Sequence, residues 1–218
     1  MEVSLETIVL WAVPVVFAIT LHEAAHGYVA KLFGDRTAEM LGRISLNPLK
    51  HIDPIGTLLV PGVLLALAWI NKSPPFVFGW AKPVPVNAGN LRDPKRDMIW
   101  VAAAGPGSNF VQALVWALVL VATAPTGVWP SAAFFEMADI GFKVNLILMA
   151  LNLLPLPPLD GGRVLAGLLP RNAASVLARF EPYGLFILLA LLATGLLDDL
   201  MRPLVRVAAT LIARLVGL

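Results

Sequence analysis

The sequence predicts an all-α polytopic membrane protein with about five to six membrane helices or re-entrant segments and a small β-sheet at the membrane surface. Of the 218 residues, 58% are hydrophobic and only 14% are charged, whereas soluble domains carry roughly 25% charged residues. The apolar residues are gathered into long runs, and a membrane span needs about 20 mostly apolar residues. Two polar, proline-containing stretches separate some of these runs.

Five apolar runs are candidates for membrane segments. They are residues 8–28, 55–70, 98–124, 142–156 and 183–197. The first run is preceded by acidic residues and has no small-residue cleavage site, so we do not interpret it as a signal peptide. The second run is short, and Pro61-Gly62 would break a helix within it. The tail 201–218 fits either an interfacial amphipathic helix or an ordinary end to the last span.

Basic residues predict the orientation of these segments. Lys and Arg follow the first run, precede the third and follow the fourth, whereas the stretch 125–141 contains neither. We therefore expect a multi-pass protein of the cell membrane, with the three basic loops in the cytoplasm and 125–141 outside. This orientation requires run 55–70 to enter and leave by the same face, so we favour a re-entrant segment over a true crossing.

The small sheet is predicted from two polar stretches. Arg43, Ser45 and Asn47 alternate with apolar residues, as in a short strand. Prolines at 83 and 85 exclude a helix over 82–87 and allow only an edge strand or an extended segment. The two stretches could pair with each other, or with an unwound substrate by strand addition.

Composition also excludes several functions. The chain has no cysteine, which rules out a disulfide scaffold, a cysteine metal site and a cysteine nucleophile. The net charge is only +2, so we expect no nucleic-acid partner; the lipid bilayer is the expected environment. We treat residues 1–218 as one integral-membrane domain, with a core at 8–162 and C-terminal helices at 163–218. The sequence does not indicate the oligomeric state.

His22, Glu23 and His26 form an HExxH pattern inside the first apolar run. Positions four apart share a helix face, so both imidazoles can bind one Zn²⁺ while Glu23 acts as a general base. In a soluble protein a pattern this short is often a solvated helical turn. Within a membrane span an ionisable side chain costs several kcal/mol and points to a functional site.

A catalytic zinc site usually has three protein ligands and a water. The chain has three histidines and no cysteine, so the third ligand is either His51 or a carboxylate. Asp160 is the best-placed carboxylate, because the prolines at 155, 157 and 158 unwind the chain before it and free polar groups for a buried site. The alternatives are that Asp160 caps the next helix and that His51 lies in a surface loop.

Five segments in order resemble the site-2 protease family of intramembrane zinc metalloproteases. They are HEAAH (22–26), GRISLNPLKHIDPIGT (42–57), FGWAKPVPVN (78–87), AGPGSN (104–109) and NLLPLPPLDGG (152–162). The second and third segments look like the small prokaryotic branch of the family. The resemblance covers residues 8–197, and no PDZ-like or CBS-like module is visible beside it.

The resemblance implies that His22, His26 and Asp160 bind one zinc ion per chain and that Glu23 is the catalytic base. It implies an endopeptidase that cleaves a transmembrane segment of a membrane-protein substrate through a metal-activated water, in regulated intramembrane proteolysis. The active site would lie toward the cytoplasmic side.

Three further residues match positions of the family. Asn152 matches an asparagine that assists at the substrate carbonyl and is a candidate catalytic residue. His51 and Asn109 match recurrent polar positions and are candidates for contacts with the substrate or with the zinc ligands.

Two other classes compete with this interpretation. A zinc-containing membrane protein without proteolysis, such as a transporter or a scaffold, would keep the metal; transporters usually have internal repeats and polar residues spread over several spans, and neither is seen here. A soluble-type zinc peptidase on a membrane anchor would not place its HExxH pattern inside an apolar run.

Overall fold

A computed structural model describes residues 5–70 and 79–217. Every regular element within these ranges is helical, and no strand occurs there. An all-helical fold is therefore confirmed for this part of the chain. Phe78, the first residue of the FGWAKPVPVN segment, lies outside the described residues.

The first half of the chain contains one long helix followed by short elements. These are α1 (Leu5–Leu32), α2 (Thr37–Met40), a 3₁₀ turn (Pro48–His51), a π-helical turn (Pro54–Leu59) and α3 (Val60–Ile70). Helix α1 ends shortly before Gly34, whose φ of 110° lies in the region that favours glycine. With 28 residues, α1 is about 42 Å long, which exceeds the thickness of a bilayer core.

The second half contains the remaining helices. They are a 3₁₀ turn (Ala88–Asn90), α4 (Pro94–Thr123), α5 (Ala132–Leu153), α6 (Asp160–Leu168), α7 (Arg171–Ala178), a 3₁₀ turn (Glu181–Tyr183), α8 (Gly184–Ala193) and α9 (Leu196–Val216). Helix α4 starts at Pro94 because the side chain of Asp93 accepts a hydrogen bond from the backbone N–H of Arg96 at 3.2 Å, a standard N-cap.

Three helical segments of the described chain are long and apolar enough to cross a membrane. They are Glu6–Leu32, Pro94–Thr123 and Arg171–Ala193, the last of which combines α7 and α8. A helical membrane protein is therefore supported, but a count of five to six membrane segments is not. Helix α5 begins at Ala132 and not at residue 142, so it includes the last ten residues of the stretch 125–141.

Helix α4 lies at the centre of the fold and packs against α1, α5, α6 and α9. The main buried cluster is made largely of small residues, and small side chains let membrane helices approach closely. Its buried members are Ala113, Ala117, Leu146, Met149, Ala150, Ala208 and Ile212. The last two belong to α9, so the arginine-containing tail is a separate helix packed on α4 and α5.

The predicted pairing of 43–47 with 82–87 is wrong for the described residues, although 82–87 is non-helical and the backbone of Asn87 is extended. Pro83 and Pro85 have no N–H to donate to a ladder. The N–H of Val84 is donated to the carboxylate of Glu23 at 2.7 Å. Too few backbone donors are therefore left on this segment to form a sheet.

A side chain joins the two stretches where a ladder was expected. Nη2 of Arg43 donates to the carbonyl of Lys82 at 2.8 Å and to that of Pro83 at 3.3 Å. The two stretches are therefore in contact, but the contact runs from a guanidinium to the main chain.

Candidate metal centre

His22, His26 and Asp160 form a buried cluster where α1 meets the start of α6. The two histidines are one turn apart on α1, and their Nε2 atoms are 3.1 Å apart. Oδ2 of Asp160 lies 3.2 Å from each of these nitrogens. The helical spacing predicted for the histidine pair is therefore present, and the third group beside it is the aspartate.

Hydrogen bonds on the other ring nitrogens fix the form of both histidines. Nδ1 of His26 lies 2.7 Å from the carbonyl oxygen of Val101, which can only accept, so this nitrogen carries a proton. Nδ1 of His22 donates to Oδ1 of Asn109 at 2.6 Å. In each neutral ring the proton is then on Nδ1, and the lone pair on Nε2 faces the cluster.

Asn109 is itself held in one orientation. It is fully buried on α4, and its Nδ2 donates to Oδ1 of Asn145 on α5 at 2.9 Å and to the carbonyl of Ala18 at 3.2 Å. Since the amide nitrogen faces these acceptors, the amide oxygen faces His22. Such a partner orients a metal-binding imidazole and raises its basicity.

The donor atoms of the cluster fit a zinc ion. The Nε2 lone pairs of the two neutral rings and a carboxylate oxygen converge on one point, and Oδ2 of Asp160 is buried without a hydrogen-bond donor among the described residues. Such atoms repel one another unless a cation lies among them. Two imidazoles and a carboxylate are a donor set of catalytic zinc sites. Gly105 of α4 covers the cluster, and a Cβ at this position would overlap both rings.

Asp160 reaches the histidines because the chain folds back sharply after α5. Gly161 and Gly162 pack so closely on the backbone of 153–157 that a Cβ on either would overlap it. Helix α6 begins at Asp160 itself, and no side chain caps it. The alternative role of Asp160 as an N-cap is therefore not observed.

Glu23 lies beside the cluster on the next position of α1 and is half-buried. Its Oε2 accepts the hydrogen bond from Val84 N–H at 2.7 Å. Within the described residues this is the one hydrogen bond that the carboxylate receives, so its second oxygen has no donor.

His51 and Asn152 do not belong to the cluster. His51 is buried, which contradicts a surface-loop position, and its Nε2 lies 2.9 Å from the carbonyl of Ser45. Of the two candidates for the third ligand, the structure brings Asp160 and not His51 to the histidine pair. Nδ2 of Asn152 donates to the carbonyl of Leu148 in its own helix at 3.0 Å.

Four contributors to the centre were missed in the sequence. Asn145 is a polar amide inside the apolar run 142–156, so the rule that singled out the histidines could have found it. Gly105 lies in the AGPGSN segment (104–109), but no role was predicted for it. The Val101 carbonyl and the Val84 N–H are backbone groups, for which side-chain identity carries no direct signal.

Comparison with known proteins identifies the family. The profile of peptidase family M50 matches residues 128–195, which include Asp160 and Asn152. A protein of Bacillus subtilis (strain 168), named "Putative zinc metalloprotease YwhC", is 37% identical over 207 residues, or 93% of this chain and 89% of that protein. The chain belongs to peptidase family M50.

Two further relatives carry the same zinc metalloprotease designation. Rip2 of Mycolicibacterium smegmatis is 31% identical over 184 residues, covering 83% of this chain and 65% of that protein. MJ0611 of Methanocaldococcus jannaschii is 34% identical over 65 residues, covering 30% of this chain and 31% of that protein. No solved structure matches the chain. Membership of the M50 family confirms the resemblance to site-2 proteases and the metalloprotease class.

Proposed function

We propose that this M50 protein is a membrane-embedded zinc endopeptidase that cleaves a transmembrane segment of a membrane-protein substrate, as in regulated intramembrane proteolysis. The observation that carries the proposal is the buried, converging set of potential metal-ligand atoms on His22, His26 and Asp160, with the carboxylate of Glu23 beside it. The zinc metalloprotease names of the relatives support zinc as the metal.

The proposed chemistry divides among residues of this chain. His22, His26 and Asp160 would hold one zinc ion, which when bound lowers the pKa of a water to about 7 and polarises a carbonyl. Glu23 would accept a proton from the attacking water and deliver it to the departing amide nitrogen. Asn152 would donate to the carbonyl oxygen as charge develops there, a contact worth about 3–4 kcal/mol in comparable enzymes. To do so, its Nδ2 must leave the carbonyl of Leu148.

A cavity beside the centre offers space for the substrate. It has a volume of about 550 Å³ and is lined by residues 83–86, by the first turns of α4 and by α6. Val84, which contacts Glu23, and Arg163, one turn after Asp160, both line it. We place the unwound main chain of the substrate in this cavity.

The contacts of Trp80 support a re-entrant course for the segment that contains α3. Its N–H donates to the carbonyl of Gly56 at 3.1 Å, and its carbonyl accepts from Oγ1 of Thr57 at 2.9 Å. Residue 80 therefore lies at the same depth in the membrane as residues 56 and 57. If the segment between them crossed the bilayer once, these residues would be separated by about 30 Å. Re-entry agrees with a multi-pass cell-membrane protein whose site faces the cytoplasm, and the packing of α9 on α4 and α5 supports a single domain.

The test of the proposal is Glu23→Gln, compared with wild type in detergent on a single-span test substrate. We expect one zinc per chain in both proteins and a loss of at least about 100-fold in the cleavage rate of the variant. Unchanged cleavage by Glu23→Gln would contradict the proposal. A wild-type protein that holds zinc and cleaves no membrane-protein substrate would favour the transporter or scaffold alternative.

A matched pair of variants tests the ligand set by metal content. Asp160→Asn removes the proposed third ligand and should lose zinc. His51→Ala removes a buried histidine outside the cluster and should retain it. The opposite result would assign the third position to His51.

A further inference from the structure

Residues 82–90 pass beside the metal centre and leave a single backbone donor near Glu23. The sequence from 82 is KPVPVN, and the prolines at 83 and 85 have no N–H. Val84 therefore supplies the one N–H between Lys82 and Val86. This N–H is donated to Oε2 of Glu23 at 2.7 Å, and a hydrogen bond to an ionised carboxylate is stronger than a neutral one.

The 82–90 segment is held at its beginning by the loop that follows α1. Nη2 of Arg43 donates to the carbonyls of Lys82 and Pro83 at 2.8 and 3.3 Å. The N–H of Lys82 donates to the carbonyl of His51 at 2.9 Å. Both contacts lie within two residues of Val84, so they fix the position of its N–H.

The end of the segment is held by Asp35, which is fully buried. One carboxylate oxygen accepts from the N–H of Asn87 at 2.7 Å, and the other accepts from Nδ2 of Asn90 at 3.1 Å. Thr37 donates to Asp35 through its own N–H at 3.0 Å. The segment is thus held on both sides of Val84, by Arg43 and His51 before it and by Asp35 after it.

Val84 is also seated by its side chain. It is 7% exposed, and it approaches Gly27 of α1 so closely that a Cβ there would lie 3.0 Å from Cγ1 of Val84. The absence of a side chain at Gly27, one turn after Glu23, lets the segment lie directly on α1.

We propose that the 82–90 segment positions the general base: the N–H of Val84 fixes the carboxylate of Glu23, and Arg43 and Asp35 are positioning residues that hold the segment. The inference rests on the proposed role of Glu23. Because Oε2 is occupied by Val84, Oε1 is the oxygen that remains for the proton of the attacking water. A general base must lie within hydrogen-bond reach of that proton, and a misplacement of about 1 Å can cost about 100-fold in rate.

The direct test compares Val84→Pro with Val84→Ala. Both variants remove the valine side chain, but only the proline removes the N–H. We expect both to keep one zinc per chain. We expect kcat of Val84→Pro on the single-span substrate to lie about 10- to 100-fold below that of Val84→Ala, with KM values within about threefold of each other.

A second comparison avoids the neighbourhood of the metal. Arg43→Ala removes the donor to the Lys82 and Pro83 carbonyls, and we expect a fall in kcat with zinc content and KM unchanged; Arg43→Lys, which keeps one donor, should restore part of it. Lys50→Ala is the matched control, because Nζ of Lys50 donates to the carbonyl of Gly42 at 2.9 Å in the same loop and makes no hydrogen bond to residues 82–90. It should cleave like wild type.

The outcomes separate this inference from the proposed function. If Glu23→Gln is inactive but Val84→Pro and Val84→Ala have the same kcat, the positioning role is wrong and the role of Glu23 stands. A Val84→Pro variant more active than Val84→Ala would make the bond inhibitory and overturn the inference. If Val84→Pro fails to bind zinc, Arg43→Ala decides, and wild-type kcat in that variant would also overturn it.

Discussion

Replacing Gly105 by alanine should remove the metal from the centre, although the change adds only one methyl group. Gly105 lies on α4 directly against both imidazoles. A Cβ at this position would lie 2.6 Å from Nε2 of His22, whereas ordinary van der Waals contact begins near 3.4 Å. Nε2 of His26 would lie closer still, so the rings or the helix must move by at least about 0.8 Å in a close-packed region.

A displacement of this size is large for zinc coordination. Zinc–nitrogen bonds are about 2.0–2.1 Å long, and a working site tolerates about 0.2 Å. The rings cannot turn away, because their Nδ1 atoms are bonded to Asn109 and to the carbonyl of Val101. We expect zinc affinity to fall at least about 100-fold, or about 2.7 kcal/mol.

A competition titration with a zinc chelator in detergent measures this loss, and Gly107→Ala is the control. Gly107 lies two residues further along α4 with nothing within 4 Å of its would-be Cβ. Both substitutions gain the same helix propensity, about 0.5–1 kcal/mol, so Gly107→Ala should keep zinc and unfold at the same or a higher temperature. Equal zinc affinity in the two variants would refute the packing of α4 on the imidazoles.

Three further predictions concern the groups around the centre. Asn109→Leu removes the acceptor for Nδ1 of His22 and should weaken zinc binding about 10- to 100-fold in the same titration; Asn145→Leu acts only through Asn109 and should cost less, and the reverse order would contradict this chain of contacts. Asn152→Ala should lower kcat about 100-fold or more without changing zinc content, whereas an unchanged kcat would remove Asn152 from the carbonyl site. Burial raises the pKa of Asp35, but hydrogen bonds from Thr37, Asn87 and Asn90 outweigh burial and hold the pKa below its ordinary value. The ionised carboxylate of Asp35 therefore contributes fully to stability above about pH 4, and this contribution is lost as the pH falls through the lowered pKa. Thermal unfolding of the metal-free protein should therefore show a steeper loss at acid pH in wild type than in Asp35→Asn, and parallel curves would contradict the role of these hydrogen bonds.

Much of the candidate centre could be predicted from the sequence because its ionisable side chains stand inside apolar runs. His22 and His26 needed only helical spacing to share a face, and α1 provides it. The third ligand could not be fixed in the same way, since His51 and Asp160 both remained possible. Only the fold, which turns the chain back after α5 at Gly161 and Gly162, brings Asp160 to the histidines.

The boundaries of the helices were harder to predict, because hydropathy locates apolar surface and not helix ends. Helix α5 begins ten residues before the apolar run that indicated it. Its first turns carry Glu136, Asp139 and Lys143, and the last two form an ion pair at 2.6 Å across one turn. Charged residues can continue a helix beyond the apolar run, so hydropathy placed the start of this helix too late in the sequence.

The error over the sheet has a different physical cause. Alternation and prolines indicate an extended backbone, but they do not indicate which group accepts its hydrogen bonds. In 82–90 the N–H groups of Val84 and Asn87 go to the carboxylates of Glu23 and Asp35. A carboxylate is a stronger acceptor than a carbonyl, so these residues, far away in the sequence, take the place of a partner strand.

The support of the centre follows from the rule that buried polar groups in a membrane protein must be satisfied by the protein itself. Each imidazole has a partner from α4, one of them a side chain and the other a carbonyl, and Glu23 has a backbone N–H. The identity of a residue does not reveal that its backbone group is a hydrogen-bond partner, but such a group does restrict which residue types can lie next to it. Proline on both sides of Val84 removes the competing donors, and glycine at 105 makes room for the rings. Pro83, Pro85 and Gly105 carry no reactive group, but they indicate in the sequence where the main chain packs against the reactive side chains.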